Sequence, residues 1–132
     1  MNRLVAARWY ILAGALWLSA FVATHWPGER FPTLLRGWEN WDKAIHFSMF
    51  VVLGLILSVI AGRFSKIGPL FVWPVLAAYG LLDEVTQSFV PGRTCDGLDW
   101  MTDCLGAAVG VGLYFLFARL RNPEPAETPL SD

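Results

Sequence analysis

The chain has 132 residues, 55% of them hydrophobic and 16% charged, with seven Trp, nine Phe, a formal net charge of −1 and a mean hydropathy of +0.47. A typical soluble domain carries about 25% charged residues, and a near-neutral chain offers no basic surface for nucleic acid. The length admits one domain, and the composition reads as an all-α, polytopic membrane protein in contact with the lipid bilayer.

Four apolar segments follow one another. The first covers residues 9–24 and extends upstream over 4–7, with Arg8 able to snorkel. It reads as a retained anchor, because Phe21 and Leu18 occupy positions where a signal-peptide cleavage site needs small residues. The second covers 44–62. The third covers 67–82, and its pattern continues through Asp83 and Glu84 to Val90. The fourth runs from 98 to 118. A spanning helix needs roughly 20 residues. The second and fourth approach that length themselves, and the first and third do so with flanking polar residues. The expectation is therefore four transmembrane helices. Pro69 suits a helix start, whereas Pro74 is expected inside the third helix, kinking it.

Lys and Arg set the orientation. Arg3, Arg8, Arg63, Lys66, Arg119 and Arg121 flank one side, and Arg30, Arg36, Lys43 and Arg93 the other. Six against four favours both termini in the cytoplasm. Trp26, Trp38, Trp41 and Trp100 then lie near the outer interface. The Pro-rich, acidic stretch over 122–132 reads as a disordered tail behind a single domain over 1–121. Cys95 and Cys104 lack zinc or redox spacing, and no disulfide is expected.

Ionisable residues interrupt this pattern in three places. In "WDKAIHF", Asp42, Lys43 and His46 open the second helix. Asn40 as N-cap and Asp42 in the first turn fit simple capping, but Lys43 and His46 do not. In "DEVTQ", Asp83 and Gln87 share one face of the third helix with Glu84 adjacent. A carboxylate within the membrane costs about 2.5–3.5 kcal/mol; the alternative is that the helix stops at Leu82 and both carboxylates are solvated. In "VPGRTCDGLDWMTD", Pro91-Gly92 marks a turn, Arg93 follows, and Asp96 with Asp99 resembles a capping box. Asp96, Asp99, Asp103, Gly106 and Gly110 step by three and four along one helix face, acidic first and small afterwards. Gly106 and Gly110 permit close helix packing. With four spans, all three sets fall in the outer half of the membrane. Arg93 is the expected partner for a carboxylate.

These blocks, D-K-x-x-H-F, D-E-x-x-Q and P-G-R-x-x-D-x-x-D, resemble the VanZ-like family of small bacterial membrane proteins over residues 42–110. Asp103 stands where that family usually has Asn. The resemblance implies a role at the bacterial cell envelope, and the family takes its name from a protein linked to resistance to teicoplanin, a glycopeptide antibiotic. It supplies no mechanism.

The leading expectation is a binding protein for an anionic lipid, such as a lipid-linked cell-wall precursor, or for a membrane partner. Lys43, Arg93 and two helix N-termini would provide the positive potential. No catalytic residue or cofactor is assigned. The carboxylates leave open a divalent cation and a membrane-embedded hydrolase or transferase. The same residues would also fit a proton-coupled transporter working as an oligomer, or a purely structural polar cluster.

Overall fold

The computed structural model describes residues 3–25, 41–91, 93 and 95–122, and these are all-α, with no strand among them. The elements are α1 (Arg3–Thr24), α2 (Trp41–Phe64), a 3-10 turn (Gly68–Phe71), α3 (Val72–Gln87) and α4 (Gly97–Arg121). Charge placement favours the two longest helices. Asp42 lies in the first turn of α2 and Arg63 in its last, while α4 has Asp99 in its first turn and Arg119 and Arg121 in its last. Each charge opposes the helix macrodipole at its own end. The backbone N–H of Asn122 closes α4 by donating to the carbonyls of Ala118 and Arg119.

Among the described residues, three helices are long and apolar enough to cross a membrane: Ala7–Thr24, Asp42–Phe64 and Gly97–Arg121. The expected fourth span is not clearly one of them. Its apolar stretch divides into the 3-10 turn and a 16-residue α3, and that helix alone is shorter than the roughly 20 residues a span requires. Pro74 also sits differently from expectation. It is the third residue of α3, not an interior one. The first four N–H groups of a helix have no partner within it, so the proline removes no bond there. At its other end α3 continues past Leu82 to Gln87 and carries both carboxylates into buried positions. Asn40, Trp26, Trp38, Gly92 and residues 123–132 lie outside the described residues, as does the Trp41 side chain.

The helices pack as a bundle whose most extensive contact is between α2 and α4, followed by α3 with α4; α1 lies against α2 and α3 more lightly. Glycine permits the close approach. A Cβ added to Gly110 would fall on the carbonyl oxygen of Val51, and one on Gly106 would fall on that of Phe47. Those are backbone atoms of α2 and cannot turn aside, so glycine alone fits at these two positions without a shift of the helices.

Polarity is distributed the opposite way from a soluble domain. The apolar core is small, formed by Ala20, Phe50, Leu53, Val72, Leu76 and Ala107. His46, Asp83, Glu84, Gln87, Asp99 and Asp103 are also buried, whereas Ile11, Leu70, Phe71, Leu82, Phe89 and Leu120 are exposed. An apolar exterior of this extent is stable facing lipid. The chain is a multi-pass membrane protein.

Candidate functional site

One end of the bundle gathers the C-terminus of α1, the N-termini of α2 and α4 and the last turns of α3. Helix periodicity sets the side chains of Lys43 and His46 one turn apart on α2, and those of Asp99 and Asp103 one turn apart on α4. The close α2–α4 crossing then joins them in register. Lys43 Nζ donates to Asp96 Oδ2 at 2.9 Å and to Asp99 Oδ1 at 2.5 Å. His46 Nδ1 lies 2.9 Å from Asp103 Oδ1. His46 is 2% exposed and Asp103 0%, so this second pair is sealed from solvent.

From α3, Glu84 reaches across to the start of α4. Its Oε2 accepts the backbone N–H of Asp96 at 2.9 Å. The Asp96 side chain is the N-cap of α4, accepting from the Leu98 N–H at 2.9 Å. In a capping box the residue three positions after the cap returns a bond to the cap's N–H. Here Asp99 holds Lys43 and Glu84, from a different helix, takes that N–H. The capping arrangement thus becomes a tertiary contact between α3 and α4. The Lys43 ammonium, and then the Leu98 N–H, hold the Asp96 carboxyl below the usual carboxylate range.

Asp83 faces α1. Its Oδ2 accepts from Gln87 Nε2 at 2.7 Å and its Oδ1 from the Thr24 hydroxyl at 3.1 Å. The Tyr79 hydroxyl stands 3.5 Å from the same Oδ1, and His25 Nδ1 is at 3.6 Å. Gln87 Nε2 also reaches Glu84 Oε1 at 3.4 Å. An uncompensated buried charge costs several kcal/mol, and these hydrogen bonds are what allow carboxylates to persist among apolar helices. Three buried side-chain atoms are without a hydrogen-bond partner among the described residues, and two of them, His46 Nε2 and Asp103 Oδ2, belong to this cluster; the third is Ser58 Oγ.

Of the ten residues read from spacing, Lys43, His46, Asp83, Glu84, Gln87, Asp96, Asp99 and Asp103 meet in this network. Asp42 is half-buried beside Lys43 in the first turn of α2. Arg93 is half-buried in the α3–α4 connection, where its N–H donates to the Val90 carbonyl at 3.0 Å. The ammonium bonded to Asp96 and Asp99 is that of Lys43. Thr24, His25 and Tyr79 were missed. Thr24-His25 is a polar pair closing an apolar segment, and that was the available signal. Tyr79 lies one turn before Asp83 on the same face.

His46, Glu84 and Asp99 each offer one ligand atom, and these atoms lie within 4.8 Å of one another. The arrangement can hold a cation, exchange protons or accept hydrogen bonds from a ligand. Trp100 and Trp73 brace α4 against α3 beside it, donating to the carbonyls of Ala77 and Cys104, each at 3.0 Å. Cys95 and Cys104 are free thiols, the first exposed.

No curated protein and no solved structure matches the chain. A family model described as VanZ/LLP1 matches residues 6–118. That stretch includes every residue of the network, from Thr24 at the end of α1 to Asp103 in α4, and on it the chain belongs to the VanZ/LLP1 family.

Proposed function

We propose that this VanZ-like protein spans the bacterial plasma membrane four times, with both termini cytoplasmic, and binds an anionic lipid-linked envelope component from the outer leaflet. The observation that carries the reading is a groove of about 730 Å³ on the lipid-facing side of α4. Lys43 forms its polar end, and Trp73, Met101, Leu105 and Ala108 are among its apolar walls. From Leu98 to Ala108 the groove follows α4 for about 15 Å, half of a hydrocarbon core of about 30 Å. Those dimensions suit one lipid chain whose headgroup reaches the cluster. For the fourth span, the 3-10 turn and α3 together extend about 32 Å, which matches the same hydrocarbon thickness.

Lys43 already serves Asp96 and Asp99, and the network holds more carboxylates than cations. A phosphate at this place therefore needs a further positive charge. Titrating the purified protein with a polyisoprenyl phosphate and with the corresponding uncharged polyisoprenol tests the reading. Binding of the phosphate at least about tenfold tighter, weakened in Lys43→Ala and Arg93→Ala, is expected. Equal binding of the two lipids, or full binding by both variants, defeats it. If the lipid is a cell-wall precursor, expression of the protein also raises the teicoplanin concentration that stops growth. Hydrolysis or transfer at the phosphate is a second reading, favoured by the buried His46–Glu84–Asp99 grouping and measured as turnover of the same lipid.

A further inference from the structure

We infer that His46 Nε2, Glu84 and Asp99 form a site for one divalent cation of borderline hardness, Zn²⁺ or Mn²⁺, with Asp103 as the positioning residue for the imidazole. The cation would supply the positive charge that a phosphate headgroup requires, and in that role the inference rests on the headgroup reading above.

Three observations converge. First, His46 Nε2 is buried and has no hydrogen-bond partner among the described residues, in a side chain only 2% exposed. Buried polar atoms in native proteins are nearly always satisfied. Second, the other ring nitrogen is held by Asp103 at 2.9 Å. With Asp103 ionised, Nδ1 carries the proton and Nε2 presents its lone pair. Metal-ligating histidines are usually fixed in this way, through a carboxylate on the far ring nitrogen. Third, two buried carboxylates from two other helices approach the same imidazole, with one ligand atom from each residue within a 4.8 Å span. Metal–ligand bonds of about 2.0–2.2 Å in a tetrahedral arrangement place ligand atoms about 3.4 Å apart, so closing on an ion needs an inward movement of about 1 Å.

Charge and donor type choose the ion. Around His46, three carboxylates (Glu84, Asp99 and Asp103) meet one ammonium, Lys43. Lys43 is shared with Asp96 as well, so the carboxylates stay in excess, and a divalent cation would offset that excess. Mixed nitrogen and oxygen donors suit Zn²⁺ or Mn²⁺ better than Ca²⁺ or Mg²⁺, which prefer oxygen alone. Three protein ligands leave a coordination position for water or a phosphate oxygen. Protons on the carboxylates would relieve the same repulsion, and the experiment separates the two.

The full chain, tag removed and carrying Cys95→Ala and Cys104→Ala so that thiols do not bind zinc, is stripped with a chelator in detergent. It is then titrated with Zn²⁺ alone by calorimetry and with Mn²⁺ alone by electron paramagnetic resonance. One ion per chain is expected. Glu84→Gln and Asp99→Asn should each weaken binding at least about tenfold, and Asp103→Asn about 10–100-fold. Asp103→Asn should also shift the visible absorption of Co²⁺-loaded protein at unchanged helicity, which a merely structural role would not do. Absence of a saturable ion in the chain with His46, Glu84, Asp99 and Asp103 intact overturns the inference, with no dependence on any site variant folding. So does undiminished binding by both carboxylate variants. Repeating the lipid titration with chelator keeps the two readings apart. An ion bound without preference for the phosphate lipid sinks the headgroup reading alone. Phosphate lipid bound equally with and without chelator, by protein that takes up no ion, sinks the cation alone.

Discussion

At one end of the bundle ionisable side chains are buried and bonded to one another; at the other they are exposed. Asp83, Glu84, Asp99 and Asp103 are all buried at the first end. Arg63, Lys66, Arg119 and Arg121 are exposed at the second, and the Arg63 guanidinium lies 4.7 Å from the centre of the Trp9 ring. Exposed cations at helix ends are cheap, because water keeps the charge while the alkyl stem covers apolar surface. Buried carboxylates are expensive and need hydrogen-bond partners. A chain that keeps several of them at a single end of a lipid-facing bundle marks that end as the candidate for function.

The comparison can be broken most decisively by labelling. Cys95 is exposed at the acidic end. In intact cells with Cys104→Ala, a membrane-impermeant maleimide should label Cys95 fully, whereas a Lys66→Cys variant lacking both native cysteines should label only after permeabilisation. The reverse pattern would place the acidic end in the cytoplasm and remove the outer-leaflet proposal. The next largest effect contrasts the two ends directly. Lys43→Ala strands Asp99 in a buried site and should cost about 2–3 kcal/mol in thermal unfolding. Arg63→Ala loses a cation–π contact worth about 0.5–1 kcal/mol. Equal losses would mean that the ends do not differ in kind.

The crossing that joins the ends offers a third test. Gly110→Ala must push the Val51 carbonyl and the Leu55 N–H away and should destabilise by about 1–3 kcal/mol. Gly112→Ala, where a Cβ meets nothing within 4 Å, should stay within about 0.5 kcal/mol. The smallest effect is with pH. Asp96 has its carboxyl pKa lowered from the ordinary 3.8 in the folded chain. Its contribution is therefore complete above that value and is lost as pH falls through the lower folded value. Melting followed from neutral pH to below 3.8 should fall less steeply in Asp96→Asn than in the parent, and parallel curves would disconnect Asp96 from the Lys43 bridge.

Much of the fold was legible because apolar length and helical spacing are local properties. The second and fourth segments correspond to α2 and α4. The third was harder, since sixteen apolar residues followed by two carboxylates fit either a helix ending at Leu82 or one carrying charge inward. Only packing against α4 and α1, which supplies partners for Asp83 and Glu84, favours the second. Pro74 was misread for a related reason. A proline's cost depends on where the helix begins, and the 3-10 turn moves that start to Val72.

Composition and periodicity by themselves determined that this chain lies in a membrane, that its helices carry acidic and small residues on one face, and which ionisable residues interrupt the apolar segments. Those properties depend on each residue and its neighbours within a few positions. Tertiary structure decided the partners. Lys43 bonds to Asp96 and Asp99, Glu84 completes the cap of α4, Thr24 of α1 reaches Asp83, and His46 is held by Asp103 with its second nitrogen turned to no partner among the described residues. Each of those contacts spans many residues of chain and depends on how closely two helices approach, a distance set at Gly106 and Gly110 by the absence of a side chain.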